Sequence, residues 1–152
     1  MALAVRRVPV EITLPLRQKV LRPHQALDEL RLPGDDDPDT GHFAALAEDG
    51  MVVGTASVRR EPAPWARGGA WRLRGMATAE GHRNAGIGTA VMRAVLDHVA
   101  SRGGGLLWCH ARVPAVGFYQ RAGFKTRGRP FDEPHIGPHI AMQRRVGPQE
   151  RG

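Results

Sequence analysis

A strand, a glycine turn and a helix follow one another without a gap in RLRGMATAEGHRNAGIGTAVMRAVLDHVA, residues 72–100. The run from Ala70 to Ala77 reads as a strand, and Gly86 to Arg102 places Ile87, Val91, Val95 and Val99 at four-residue spacing with Met92 and Leu96 beside them. That spacing is one apolar stripe of a helix, and Gly103 supplies its stop. Between the two lies Arg83-x-x-Gly86-x-Gly88. Amides at a helix start have no intrahelical acceptor, and the helix dipole adds partial positive charge there, so such a turn suits a phosphate.

Several readings of this turn compete. A dinucleotide fingerprint would need a further glycine where Val91 stands, and no regular βαβ repetition follows. A nucleoside-triphosphate loop would need a lysine between Gly88 and Thr89. The plain structural alternative is that Gly86 and Gly88 only let helix and strand pack closely.

The rest of the chain alternates strands and helices. Val8, Val10, Ile12 and Leu14 alternate with polar residues, which predicts a first strand over 8–14. Pro15 to Leu21 reads as a short helix entered through proline and stopped near Pro23. Residues 28–40 form an acidic loop in which the carboxylates of Asp35 to Asp39 either attract a cationic amine or simply solvate a turn. His42–Ala47 and Met51–Val58 flank Asp49-Gly50 and predict a hairpin. Leu106–Cys109 reads as a buried strand, Ala115–Ala122 as a helix ended by Gly123, and Phe124–Arg127 with His139–Arg144 as a closing strand pair. Residues 1–7 and 147–152 are expected to be flexible tails.

With 152 residues, 41% of them hydrophobic, there is apolar material for one core, so 1–152 is read as one domain. The net charge is +7, and Lys19 and Lys125 are the lysines, so arginine carries the excess. Guanidinium forks suit anionic ligands. No apolar run approaches the roughly 20 residues of a membrane span, and no signal-peptide pattern opens the chain. A cytoplasmic location without membrane association is the expectation. Cys109 is the single cysteine and has no partner for an internal disulfide. His135-x-x-x-His139 has helical metal spacing, but Pro134 and Pro138 oppose a helix there, so no metal is expected.

Downstream, Ala115-Val116-Gly117-Phe118-Tyr119-Gln120-Arg121-Ala122-Gly123-Phe124 follows a buried strand. Together with the glycine turn it resembles the GNAT superfamily of acyl-coenzyme A dependent N-acetyltransferases, most closely over residues 72–124. Leu16-Arg17, Val20, Arg22, His42 and residues 137–142 are also similar, more weakly, to its ElaA-type branch. The resemblance implies an α/β (α+β) fold with a mixed, mostly antiparallel central sheet splayed in the middle and flanked by helices. It also implies an enzyme that moves an acetyl group from acetyl-CoA to a primary amine by direct attack in a ternary complex.

By the same resemblance, the turn of Arg83 and Asn84 and the amides of Ala85, Gly86, Ile87, Gly88 and Thr89 hold the pyrophosphate. Met76, Ala77 and Thr78 run beside the pantetheine arm and offer an amide to the thioester carbonyl. Tyr119 matches the family's proton donor to the departing thiolate. Glu133 and His139 are the named candidates for the base, with Glu29, His42 and His135 less favoured. Arg112 departs from the asparagine many members have, which puts a side-chain contact to the cofactor in doubt. The acceptor is a small-molecule or peptide amine, and pairing as a homodimer is a family analogy. Two other classes are weighed: a basic nucleic-acid-binding module, against which no base-reading motif appears, and a catalytically silent acyl-CoA-binding sensor.

Overall fold

The computed structural model describes residues 3–83 and 85–149; Asn84 and the outermost residues of the expected tails lie outside them. Seven strands form one sheet: β1 (Ala4–Arg7), β2 (Gly41–Leu46), β3 (Val52–Arg60), β4 (Ala70–Thr78), β5 (Gly105–Arg112), β6 (Lys125–Glu133) and β7 (Gly137–Val146). Their order is β1-β2-β3-β4-β5-β7-β6, and all neighbours are antiparallel except β4 and β5. Helix α1 (Val10–Leu21) packs on one face. Helices α2 (Ile87–Ser101) and α3 (Val116–Arg121) pack on the other, so the α/β fold expected from the sequence is the one observed.

The core sits under α2. Val91, Val95 and Val99 have no exposed surface and meet Trp71, Leu73, Leu107 and Met142 on the sheet. Burial of side chains of this size stabilises by about 1.5–3 kcal/mol each. The stripe read from the sequence is therefore the face that holds α2 against the strands.

The strand predicted over residues 8–14 is instead the start of α1. Val10, Thr13, Leu14 and Arg17 are buried, with Leu16 beside them, and the first four follow a period near 3.6 that two polar residues hide from a count of apolar side chains. Ile12, which the alternating pattern would bury, is exposed. Pro9 caps the helix and Pro15 lies within it, so only one backbone bond, to the Glu11 carbonyl, is lost. The first strand comes earlier, at Ala4–Arg7, where a flexible tail was expected. It pairs with β2, and Arg7 donates to the carbonyls of Pro38 and Thr40 at 2.9 and 2.8 Å.

The closing strand pair is longer than predicted, running through Pro130 to Glu133. β6 is the sheet edge, and its register with β7 breaks between Arg127 and Phe131 around Gly128, whose φ is +77°. An edge strand tolerates a proline because one side of it has no ladder to lose. At the opposite end, Gln149 N–H donates to the Ala100 carbonyl at 2.8 Å, which ties that part of the expected C-terminal tail to α2.

The sheet parts where the site lies. β4 and β5 pair only at Ala70–Leu106, Trp71–Leu107 and Arg72–Trp108, although both strands continue beyond. A bulge in β4, opposite the register shift between Thr55 and Ser57, re-aims the strand. Gly75 takes φ +65° there, and its carbonyl accepts the Thr55 hydroxyl at 2.9 Å. From Leu73 onward, the side of β4 that faces β5 has no strand partner.

Candidate active site

Two cavities open on the parted sheet. The larger, about 640 Å³, lies between the free edge of β4, the start of α2 and α3. Met76, Ala77 and Thr78 line one wall, and Arg83, Gly86, Ile87, Gly88 and Thr89 line another. These are the residues the sequence assigned to a cofactor. Ala85 does not line the cavity, and Asn84 falls outside the described residues.

The start of α2 is a bare donor cluster. Its first backbone bond runs from Ala90 N–H to the Gly86 carbonyl at 3.0 Å, and no side chain caps it. The amides before Ala90 thus lack acceptors within the helix. The two glycines serve different ends. Gly86 has φ +78°, and a Cβ there would meet nothing within 4 Å, so it gives the turn its left-handed bend beside open space. A Cβ on Gly88 would come within 3.0 Å of Phe118 Cε1, so that glycine lets α2 approach α3.

The smaller cavity, about 340 Å³, lies on the α1 face. Leu21, Met76, Arg112 and Tyr119 line both cavities, which makes them the junction. Arg112 is held there by its donation to the Leu21 carbonyl, the C-terminus of α1, at 2.6 Å. Tyr119 is 7% exposed and packs edge-on against Phe118 and Phe124. Burial pushes its phenol well above the usual range, with a smaller push from Cys109 and an opposing pull from Arg112. It is therefore a proton-holding group.

Of the candidate bases, Glu133, His139 and Glu29 line the smaller cavity, whereas His42 and His135 do not. His42 is fully committed, with Nδ1 at 2.6 Å from Ser57 Oγ and Nε2 at 2.9 Å from the Asp35 carbonyl. His135 packs against His24. His139 is buried, and its Nδ1 lies 2.9 Å from the Gly137 carbonyl. A carbonyl only accepts, so Nδ1 carries the proton and Nε2 of the neutral ring is an acceptor.

Among the lining residues that the sequence reading did not assign to the site are Arg17, Arg72, Arg74 and His110. They come from α1, β4 and β5, and no local spacing links those elements. His110 accepts from Arg72 through Nδ1 at 3.2 Å, and burial, helped by Arg72, lowers its affinity for a second proton. Cys109 also lines this cavity but is buried, and desolvation pushes its thiol up to about 12, so it is not a nucleophile at neutral pH. Asp35 to Asp39 of the acidic loop line neither cavity. Asp35 and Asp37 accept backbone amides of Leu32 and Asp39, and Asp39 pairs with Arg60 and Arg102, so these carboxylates hold the loop itself.

A parted sheet, a free strand edge and an uncapped helix start face one cavity, which offers amide donors to an extended anionic ligand. Comparison with known proteins agrees. The model of the Acetyltransferase (GNAT) family matches residues 11–124. N-acetyltransferase YitI of Bacillus subtilis (strain 168) is 36% identical over 141 residues, covering 92% of this chain and 94% of that protein. Among solved structures, a phosphinothricin acetyltransferase from Sinorhizobium meliloti, in complex with AcCoA, superposes with a TM-score of 0.74 at 16% identity, over 97% of this chain and 90% of that one. Escherichia coli ElaA superposes at 0.68 and 18% identity, over 94% and 99%. The chain belongs to the GNAT family of acetyltransferases and is an N-acetyltransferase. Among its described residues no helix is long and apolar enough to cross a membrane.

Proposed function

We propose that this enzyme takes acetyl-CoA in the larger cavity and a primary amine in the smaller, and passes the acetyl group directly between them at Tyr119 and Met76. The observation that carries this reading is the junction: two cavities of different chemistry share Leu21, Met76, Arg112 and Tyr119. The donor fits the residues present. Uncapped amides at Gly86–Thr89 match a pyrophosphate, Arg83 adds a cation at the rim, and the free edge of Met76–Thr78 offers unpaired backbone groups to amides of an extended arm.

When bound, acetyl-CoA supplies an acetyl thioester, and the protein's own groups do the rest. A backbone N–H of Met76–Thr78 donates to the carbonyl oxygen as charge grows on it. His139 Nε2 takes the proton of the attacking amine. It stands on β7 opposite Arg112 of β5, a junction residue, in neighbouring strands about 4.8 Å apart. Glu133, at the β6–β7 turn, is the second carboxyl-bearing wall of the same cavity and the alternative base. Tyr119 gives its proton to the departing sulfur.

His139→Gln keeps a polar side chain of similar reach but removes a group that cycles a proton. Its kcat is expected to fall about 10²-fold with KM for acetyl-CoA unchanged; an equal fall in Glu133→Gln with none in His139→Gln would reassign the base. For the reaction itself, free thiol release is measured across a panel of amines, beside calorimetric titration with acetyl-CoA and with duplex DNA at two salt concentrations. Thiol release with saturable acetyl-CoA binding and weak, salt-labile DNA binding is the expected result. Saturable donor binding without thiol release on any amine would instead favour a silent acyl-CoA sensor, and tight sequence-dependent DNA binding a nucleic-acid module. Family membership already favours transfer over both.

A further inference from the structure

The smaller cavity is more cationic than an amine acceptor alone would tolerate. Five arginines line it, Arg17, Arg22, Arg72, Arg74 and Arg112, against two carboxylates, Glu29 and Glu133. A protonated amine entering such a cavity is repelled unless it carries a negative group of its own.

Two of these arginines are not explained by the fold. Arg17 is 7% exposed, and its one hydrogen bond is a 3.5 Å contact from Nη1 to Ser57 Oγ, an oxygen already engaged by His42. No carboxylate lies within ion-pair distance of it among the described residues. Arg74 makes no side-chain hydrogen bond to them, its Nε is buried without a partner, and its nearest carboxylate oxygen is Glu61 Oε1 at 4.0 Å, which Arg59 already holds. Burial and the neighbouring Arg72 draw the Arg74 guanidinium down to about 10.

Arg72 shows what a structural arginine looks like in the same place. Its Nε, like that of Arg74, is buried without a partner, but its other nitrogens are engaged: it pairs with Glu61 at 2.9 Å, donates to His110 at 3.2 Å and lies over the Trp108 ring at 4.6 Å. Arg17 and Arg74 have no such set. Buried guanidinium groups left short of acceptors are costly, and proteins keep such violations where a ligand completes them.

The local geometry brings the two together beside the point of transfer. The Arg17 guanidinium lies over Gly75, where a Cβ would fall 2.5 Å from its Nε. Arg74 precedes Gly75 and Met76 follows it, so Arg74 is two residues, about 7 Å of strand rise, from the junction residue Met76. Neither Arg17 nor Arg74 lines the donor cavity, which has Arg83, Arg112 and Arg121 of its own.

We infer that Arg17 and Arg74 form an anion seat in the acceptor cavity, and that the natural acceptor is a compact amine bearing a carboxylate or phosphate within a few bonds of its nitrogen. This rests on the acyl-transfer reading above and narrows it. A planar guanidinium engages either anion through paired N–H groups. A lysine on a basic protein or a polyamine lacks the anion and meets only repulsion.

The test compares matched acceptors by thiol release: amino carboxylates of increasing chain length against their carboxamides, phosphoethanolamine against ethanolamine, and putrescine as a dication. The anionic member is expected to lead its partner at least ten-fold in kcat/KM, and the leading pair tells carboxylate from phosphate. Arg17→Met and Arg74→Met are each expected to erase that lead through acceptor KM, with acetyl-CoA Kd unchanged and partial rescue in Arg17→Lys. If Arg17→Met folds poorly, Arg74→Met carries the comparison. In parallel, protein saturated with CoA is titrated with succinate and with inorganic phosphate by calorimetry; saturable binding that Arg74→Met loses supports the seat without any turnover. Neutral or dicationic amines leading, with no anion binding, would overturn the seat while acyl transfer stands. Anion binding with no thiol release from any amine would keep the seat and remove the transfer reading.

Discussion

Replacing Tyr119 by phenylalanine is expected to lower kcat for acetyl transfer about 10²-fold or more while leaving acetyl-CoA affinity and thermal stability nearly unchanged. The ring fills a packed site between Phe118 and Phe124, and phenylalanine keeps that packing. The hydroxyl makes no hydrogen bond to another described residue, so its loss leaves no protein donor or acceptor stranded. It faces the junction of the two cavities instead. The raised pKa has a second, independent signature. An ordinary tyrosine ionises near pH 10, but the folded protein resists this, so above about pH 10 the unfolded state holds fewer protons and stability falls as pH rises. Tyr119→Phe should flatten that alkaline decline while showing the catalytic loss near neutral pH. A variant with full turnover and the flatter decline would leave Tyr119 as a packing residue.

The proposed donor half of the site was legible because its demands are local. A left-handed turn, bare amides and a helix behind them are encoded in consecutive residues, and Gly86 with the Ile87–Val99 stripe writes them out. The acceptor half is assembled by topology. Arg17 comes from α1, Arg74 from the bulge of β4, His110 from β5, and Glu133 and His139 from the β6–β7 hairpin. Nothing in the spacing of these residues foretells their meeting.

The misreading of α1 has the same root. Its buried face runs through Thr13 and Arg17 as well as Val10 and Leu14, and a search for apolar periodicity passes over polar positions. Likewise residues 128–138, which the sequence reading left between its two closing strands, are carried by an edge strand and its turn, which bring Glu133 and His139 to the smaller cavity.

Gly86→Val is expected to weaken acetyl-CoA binding about 10²-fold or more and to lower the melting temperature by several degrees. Valine is strained in the left-handed region that Gly86 occupies at φ +78°, by about 1–3 kcal/mol, and each kcal/mol is worth about 2–4 °C for a domain of this size. Since a Cβ there meets no protein atom within 4 Å, strain and not collision accounts for the stability loss. The binding loss has another cause. Either the turn relaxes and the amides before Ala90 swing away, or the isopropyl group occupies the space they face. Losing two hydrogen bonds to a charged group at about 1.5–3 kcal/mol each is ample for a 10²-fold effect. Gly88→Ala gives the contrast, because its added methyl would press on Phe118 and disturb the contact of α2 with α3. Calorimetry with acetyl-CoA and thermal melts on both variants separate a phosphate cradle from a packing motif: the cradle predicts that Gly86→Val loses far more affinity per degree of melting temperature than Gly88→Ala. Equal ratios in the two would mean that the glycines act only through packing.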